Sequence, residues 1–169
     1  MNVHLQGGRR ASHATGLLEA RQLLLAVAGN LDCVGTPLAE WARELGDLHA
    51  TLMSASVSLA CRPADFDDTA TRTRIGDVIG MIDQWSMYHL PRTTTARCHT
   101  HTLGEVISHV ADNYAQAQWR LRHSEGAEHR HMVAQRLAQV QQGYADLIEE
   151  IRMLRVEFPV GWYSNRPVS

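Results

Sequence analysis

Histidine gives this chain most of its capacity for chemistry, with ten copies in 169 residues. An imidazole accepts or donates a proton near neutral pH, and an apolar environment shifts its pKa enough to change its role. The spacing of apolar residues puts His49 and His89 on the inward faces of predicted helices, and His99 in a loop beside them. We therefore take His49, His99 and His89 as candidate acids, bases or hydrogen-bond donors. A lone histidine on an apolar face is more often a hydrogen-bonded core residue, here with Tyr144 or Ser56 as its partner, and that interpretation stays open.

Aromatic and cationic residues are expected near these histidines. An up-and-down arrangement of helices would gather at one end of the bundle Trp41, Trp85, His89, Cys98, His99, Arg155 and Phe158. Such a cluster suits an acidic or aromatic small molecule, with Arg155 holding the anionic group. Tyr144 should lie near mid-height, level with His49. The candidate ligand-binding residues are thus Trp41, Trp85, Tyr144 and Arg155. End-cap residues that hydrogen-bond loop carbonyls are the simpler interpretation.

Metal binding has one weak candidate set. His101, Glu105 and His109 are four residues apart, so they share a helix face and could chelate an ion. That face lies opposite the apolar stripe of the same helix, which favours a solvated polar face. Di-iron bundles need a Glu-x-x-His unit on each of two helices, and this pair is not found. Gly-rich phosphate loops, GxSxG and HExxH are also absent from the sequence. We expect no metal and no organic cofactor.

Composition predicts one folded domain. The chain is 44% hydrophobic and 20% charged, and its formal charge is −2. A net negative charge gives no general attraction to nucleic acid or anionic lipid. The three cysteines are far apart, which argues against a disulfide scaffold, and no apolar run approaches the roughly 20 residues of a membrane span. We expect a cytoplasmic protein without nucleic-acid or membrane partners.

Apolar periodicity predicts an all-α, up-and-down helical bundle of four long helices and a shorter N-terminal one. The first helix is expected at 12–30, and the second at 37–61 after a Thr-Pro start. The third should end near His89 and the fourth should cover 102–123. The last should continue to Phe158, where Pro159 ends it. Residues 1–12 are expected to form a flexible leader, 13–158 the single domain and 159–169 an extended tail whose Trp162 folds back on the bundle.

The fourth helix has the clearest signals. Thr102 and Glu105 form a capping box, in which each side chain bonds to the other's backbone N–H. The expected buried stripe contains Leu103, Val106, Ile107, Val110, Tyr114, Ala117 and Leu121. The polar residues of the helix project roughly opposite, and we expect them to face water or a partner: His101, Glu105, His109, Asp112, Gln116 and His123.

Over residues 37–158 the chain resembles the bacterial domain-of-unknown-function family 4254, particularly its actinobacterial branch. The resemblance is carried by Leu48-His49, Ile-Asp-Gln-Trp at 82–85 and His-Thr-His-Thr-Leu-Gly-Glu-Val-Ile at 99–107. The family pattern in the last segment is similar to His-Thr-Glu-Thr-Leu-Gly-x-Val-Ile-Asp-Arg-Leu. This chain departs from it at His101, Ser108 and His109. The resemblance implies an all-helical fold and brings no activity with it.

The leading hypothesis is a small-molecule-binding bundle protein, plausibly a cofactor-independent biosynthetic enzyme that uses histidine acid/base chemistry. One alternative is a non-catalytic homodimeric interaction or regulatory protein, with contacts at Gly76 and Gly80 or on the outer face of the fourth helix. The other is a metal-dependent bundle similar in architecture to the DinB-like thiol transferases.

Overall fold

The computed structural model describes residues 16–31, 36–57, 62, 64–123 and 125–159. These residues form five α-helices: α1 (Ala20–Val27), α2 (Pro37–Val57), α3 (Asp68–His89), α4 (Leu103–His123) and α5 (Ala127–Arg152). Two short strands accompany them, β1 (Arg97–Cys98) and β2 (Val156–Glu157). The predicted all-α bundle is confirmed. The predicted leader at 1–12, the tail from 160 onward and Trp162 lie outside the described residues.

The fourth helix is the centre of the bundle, since α4 contacts each of the other four helices. Its buried residues therefore extend beyond the predicted stripe and include two polar side chains, Ser108 and Asn113. Tyr114, predicted to be fully inward, is only partly buried. A helix with neighbours on several sides buries a wider arc than one packed against a single layer. None of the described helices is long and apolar enough to span a membrane.

The first turn of α4 is held by the predicted capping box. The backbone N–H of Thr102 donates to the Glu105 carboxylate at 2.9 Å, and the N–H of Glu105 donates to the Thr102 hydroxyl at 3.2 Å. Two backbone donors that the helix itself cannot satisfy thus have partners. The sequence interpretation of this segment is correct in its residues and its bonds.

Asp83 ties the same turn to α3. Its carboxylate is buried and accepts the N–H of Gly104 at 2.8 Å. Burial raises the pKa of the Asp83 carboxyl from 3.8 to about 6, against the opposing effect of the hydrogen bonds from Gly104 and the Thr102 hydroxyl. A helix N-terminus attracts negative charge, which offsets part of the cost of burying this carboxylate. The start of α4 is therefore anchored to one side chain of α3.

Close backbone packing accompanies this anchor. A Cβ added at Gly104 would lie 2.5 Å from the carbonyl oxygen of Ile79 and 2.8 Å from Asp83 Oδ1. A Cβ at Gly46 of α2 would likewise overlap the carbonyl oxygen of Val27 in α1. Glycine at both positions lets two helices approach more closely than any other residue would allow.

Two predicted helix limits are wrong. The first helix begins at Ala20, later than predicted: residues 16–19 are not helical, and the Glu19 N–H donates to the Gln22 side chain at the helix start. The last helix ends at Arg152 instead of continuing to Phe158. Leu154 adopts a left-handed φ of 58°, which turns the chain out of the helix. Val156 and Glu157 then pair in parallel with Arg97 and Cys98.

A pair of glycine substitutions tests the packing of α4. Gly104→Ala should lower the free energy of unfolding by about 1–3 kcal/mol, because its methyl group meets α3 backbone. Gly143→Ala should raise it by up to about 1 kcal/mol, since the new Cβ has nothing within 4 Å and alanine favours the helix. Urea unfolding of both variants measures this, and equal effects of the two changes would contradict the described packing.

The pH dependence of stability tests the burial of Asp83. One pKa unit is worth about 1.4 kcal/mol, so the rise from 3.8 to about 6 is worth about 3 kcal/mol. The folded state binds the proton more tightly than the unfolded state, so this stability is present at low pH and is lost as the pH rises through 6. The unfolding free energy of wild type minus that of Asp83→Asn should therefore fall by about 3 kcal/mol between roughly pH 3.5 and pH 7. A difference that does not change with pH would show that Asp83 is solvated.

Candidate functional site

A groove of about 670 Å³ runs along α4. The polar face of α4 forms its floor, α2 and α3 contribute His49 and Ile79 to one side, and α5 forms the other side. Seven of its lining residues are titratable: His49, His99, His101, Glu105, His109, Asp112 and Tyr144. Apolar side chains of α4 and α5 complete the walls. Four residues of the face predicted to look away from the molecule thus line the groove, namely His101, Glu105, His109 and Asp112.

The imidazole of His49 contacts two side chains of α4. Its Nε2 lies 2.9 Å from Ser108 Oγ, and its Nδ1 lies 3.6 Å from Asp112 Oδ1. The side chain is only 13% exposed. The predicted partners are wrong: the Tyr144 hydroxyl donates to the carbonyl of Leu18, and the Ser56 hydroxyl bonds within its own helix. Both true partners come from α4, four residues apart.

The environment of His49 favours the neutral imidazole. Desolvation by burial lowers its pKa from the ordinary 6.5, and the charge of Arg72 lowers it further. The Asp112 carboxylate acts in the opposite direction and raises the pKa, but it does not cancel the desolvation. A neutral imidazole at neutral pH is the form that accepts a proton. His49 is therefore in the state that a general base requires.

His99 reaches the groove from the loop before α4. Its Nδ1 lies 2.8 Å from the backbone carbonyl oxygen of His101 and 3.1 Å from the backbone nitrogen of His101. Its ring meets the Phe158 ring edge-on, with centroids 5.6 Å apart. The backbone N–H of His99 donates to the carbonyl of Glu157, which continues the β1–β2 pairing. This strand pair thus positions His99 at the rim.

The candidate metal residues also line the groove but are individually engaged. Glu105 bonds to the Thr102 N–H, the His109 Nε2 lies 3.1 Å from the Asn113 amide nitrogen, and His101 contacts the Thr100 hydroxyl. Across the part of the chain that the structure describes, no three His, Cys, Asp or Glu side chains are grouped to hold a metal ion. His101, Glu105 and His109 therefore do not converge on one point where they could coordinate the same ion.

The predicted inward position of His89 is wrong. It is exposed, its ring stacks on Trp85 at 4.5 Å and 7°, and its Nδ1–H donates to the Trp85 carbonyl. His123 repeats this arrangement on Trp119 at the end of α4, with centroids 4.4 Å apart. In both, the imidazole donates to the backbone carbonyl of the tryptophan one turn earlier in the same helix. The tryptophan four residues earlier draws the ring along the helix surface.

The predicted ligand-binding residues lie in three locations: the groove, the hydrophobic core and the exposed surface. Tyr144 lines the groove, although burial raises the pKa of its hydroxyl and that hydroxyl donates to Leu18. Trp41 and Trp85 pack on the hydrophobic core instead. Arg155 is exposed and pairs with Glu150 at 3.2 Å. Within the expected end cluster the structure shows two ring contacts, His99 with Phe158 and His89 with Trp85, while Arg155 pairs outside it with Glu150.

Ser108 and Asp112 are the functional candidates that sequence reasoning missed. Ser108 was noted only as a departure from the family pattern, and Asp112 was assigned to the outward face. Their four-residue spacing continues to Gln116, whose amide donates to Asp112 Oδ2 at 2.8 Å. The sequence signal for both residues was this row of polar side chains, which runs beside the apolar stripe of α4.

Comparisons with known proteins identify no relative of this chain. No protein family matches the chain, and neither a curated protein nor a solved structure matches it. The resemblance to family 4254 stays a prediction.

The protonation of His49 can be measured directly. In an NMR pH titration of the imidazole resonances, the His49 midpoint should lie below 6.5, because burial lowers its pKa. Asp112→Asn should lower the midpoint further and Arg72→Gln should raise it, in line with their opposite charges. A midpoint at or above 6.5 in the wild type would contradict the burial of His49.

Proposed function

We propose that the groove binds a small organic molecule and that His49 exchanges a proton with it, without a metal or organic cofactor. The observation that supports this most is the largely buried imidazole of His49, which contacts Ser108 and Asp112 and lines the groove. A base whose orientation is set by hydrogen-bonding neighbours is the usual arrangement for general acid–base catalysis.

The lining suggests what kind of molecule fits. A volume of about 670 Å³ lies within the roughly 300–1,000 Å³ of small-molecule sites. Ile79, Val106, Val140 and Leu147 supply apolar contact along the sides. Imidazoles from the loop and from α4 supply hydrogen-bonding groups. We infer a ligand with an apolar body and one polar, proton-exchanging group.

His99 and His101 have a supporting role in this proposal. They lie on the loop between β1 and α4, at the rim of the groove, and can bond to the polar part of a ligand. Arg155, first considered as an anion holder, is engaged with Glu150 and has no role here. We also propose a cytoplasmic location, which the sequence composition favours.

A fragment screen read at the histidines tests the proposal. Small aromatic and aliphatic fragments are added to the protein, and imidazole chemical shifts of all ten histidines are followed. Groove binders should shift His49, His99, His101 and His109, and leave His89 and His123, which stack on tryptophans at helix ends, unchanged. Fragments that shift His89 and His123 as strongly as His49 would refute a specific groove.

Gly143 supplies a blocking variant with a matched control. It is exposed, lines the groove and has open space beyond its Cβ position. Gly143→Phe should fill the groove and reduce fragment affinity by at least about tenfold, whereas Gly143→Ala should retain it. Unchanged affinity in the phenylalanine variant would place the fragments elsewhere.

A further inference from the structure

Ser108 differs from other helical hydroxyl residues in where its hydrogen bond goes. Several donate to a backbone carbonyl three or four residues earlier, namely Thr51, Ser54, Thr71, Thr73 and Ser86. Ser108 instead has its Oγ 2.9 Å from Nε2 of His49, on a different helix. Its residue is 7% exposed and borders the groove. The hydroxyl is therefore connected to a base and adjoins the space where a ligand would lie.

Asp112 contacts the second nitrogen of the same imidazole. Its Oδ1 is 3.6 Å from Nδ1 of His49, and its Oδ2 accepts from the Gln116 amide at 2.8 Å. Gln116 thereby holds the carboxylate from the side away from His49. A carboxylate near Nδ1 favours the tautomer with a proton on Nδ1, and this leaves Nε2 as an acceptor for the serine proton.

We propose that Ser108 is a nucleophile that attacks small esters in the groove, with His49 as its general base and Asp112 as a positioning residue. This inference rests on the proposed function, since the ester would occupy the same groove. Hydroxyl, imidazole and carboxylate joined in this order form the arrangement that activates serine on unrelated folds. The chain order here is histidine, serine, aspartate.

The chemistry balances with water as the second substrate. Ser108 Oγ forms a bond to the ester carbonyl carbon while its proton passes to His49 Nε2. The ester C–O bond then breaks, and the leaving alkoxide takes that proton and departs as an alcohol. Water attacks the acyl-serine, His49 accepts its proton, and the bond from carbon to Oγ breaks as Ser108 recovers a proton. The net reaction converts one ester and one water into one carboxylic acid and one alcohol.

The negative charge that develops on the carbonyl oxygen requires a hydrogen-bond donor. His109 follows Ser108 in the chain and lines the groove. Its Nε2 lies 3.1 Å from the Asn113 amide nitrogen, so Nε2 accepts this hydrogen bond and Nδ1 is the nitrogen of the ring that can donate to a ligand.

Covalent labelling of the full-length protein tests the nucleophile. Diisopropyl fluorophosphate reacts with an activated serine by forming an O–P bond as the P–F bond breaks. Cleavage after arginine releases residues 98–120, whose only serine is Ser108. Mass spectrometry should find one phosphoryl group on this serine in the wild type. It should find none in Ser108→Ala, and His49→Ala should slow labelling by about 100-fold.

The pH dependence of the labelling rate tests the positioning role of Asp112. The labelling rate should rise with pH as His49 loses its proton. Because Asp112 raises the pKa of His49 while Arg72 lowers it, Asp112→Asn should move the midpoint of this profile to lower pH. A purely structural aspartate would change the amplitude and leave the midpoint unchanged. His89→Ala, which removes an exposed imidazole stacked on Trp85, is the control and should label at the wild-type rate.

The outcomes separate this inference from the proposed function. Failure of Ser108 to label, labelling at other residues only, or a rate that His49→Ala leaves unchanged would each overturn the nucleophile. If fragments still bind the wild-type groove and Gly143→Phe reduces their affinity, the binding function stands without the serine chemistry. If neither labelling nor fragment binding occurs, both proposals fall.

Discussion

The rest of the structure depends on how the first turn of α4 is fixed. The Asp83 carboxylate accepts the Gly104 N–H, and the absence of a side chain at Gly104 lets α4 rest on the backbone of α3. The Thr102–Glu105 capping box closes the same turn. Rotation of α4 about its axis would break the bond between Gly104 and Asp83 of α3. Its rotation decides which side chains face α2 and which face α5.

From that fixed rotation the groove follows. One edge of α4 carries Ser108 and Asp112 toward α2, where they meet His49. Glu105 and His109, on the neighbouring part of the α4 surface, line the groove together with residues of α5. Burying a histidine and a serine costs free energy unless each finds a partner, and here each satisfies the other. The same contact that links α2 to α4 therefore also orients a base toward the groove.

Much of the bundle could be predicted from the sequence because local signals agree with the fold. The Thr102–Glu105 spacing specified a cap, Pro37 specified the start of α2, and helical periodicity placed His49 on an inward face. The groove could not be predicted in this way. Periodicity divides a helix into an apolar and a polar face, but it does not reveal that neighbouring helices stand on both sides of the polar face.

The other predictions that the structure corrects failed because of tertiary contacts or of the local backbone conformation. The end of α5 depends on strand pairing with residues far away in the chain, which the apolar stripe through Phe158 concealed. His89 falls at an inward position by spacing, yet stacking on Trp85 and the bond to its carbonyl draw it to the surface. Arg155 follows the left-handed Leu154, so its direction could not be read from helical spacing.

The central claim is that His49 of α2 is bonded to Ser108 of α4, and a double-mutant cycle on the free energy of unfolding tests it most directly. His49→Ala and Ser108→Ala should show a coupling of about 1 kcal/mol, as expected for a partly buried hydrogen bond. The control pair His49→Ala and Ser56→Ala should be additive, because the Ser56 hydroxyl donates to Met53 in its own helix. Additive effects for His49 and Ser108 would contradict the account.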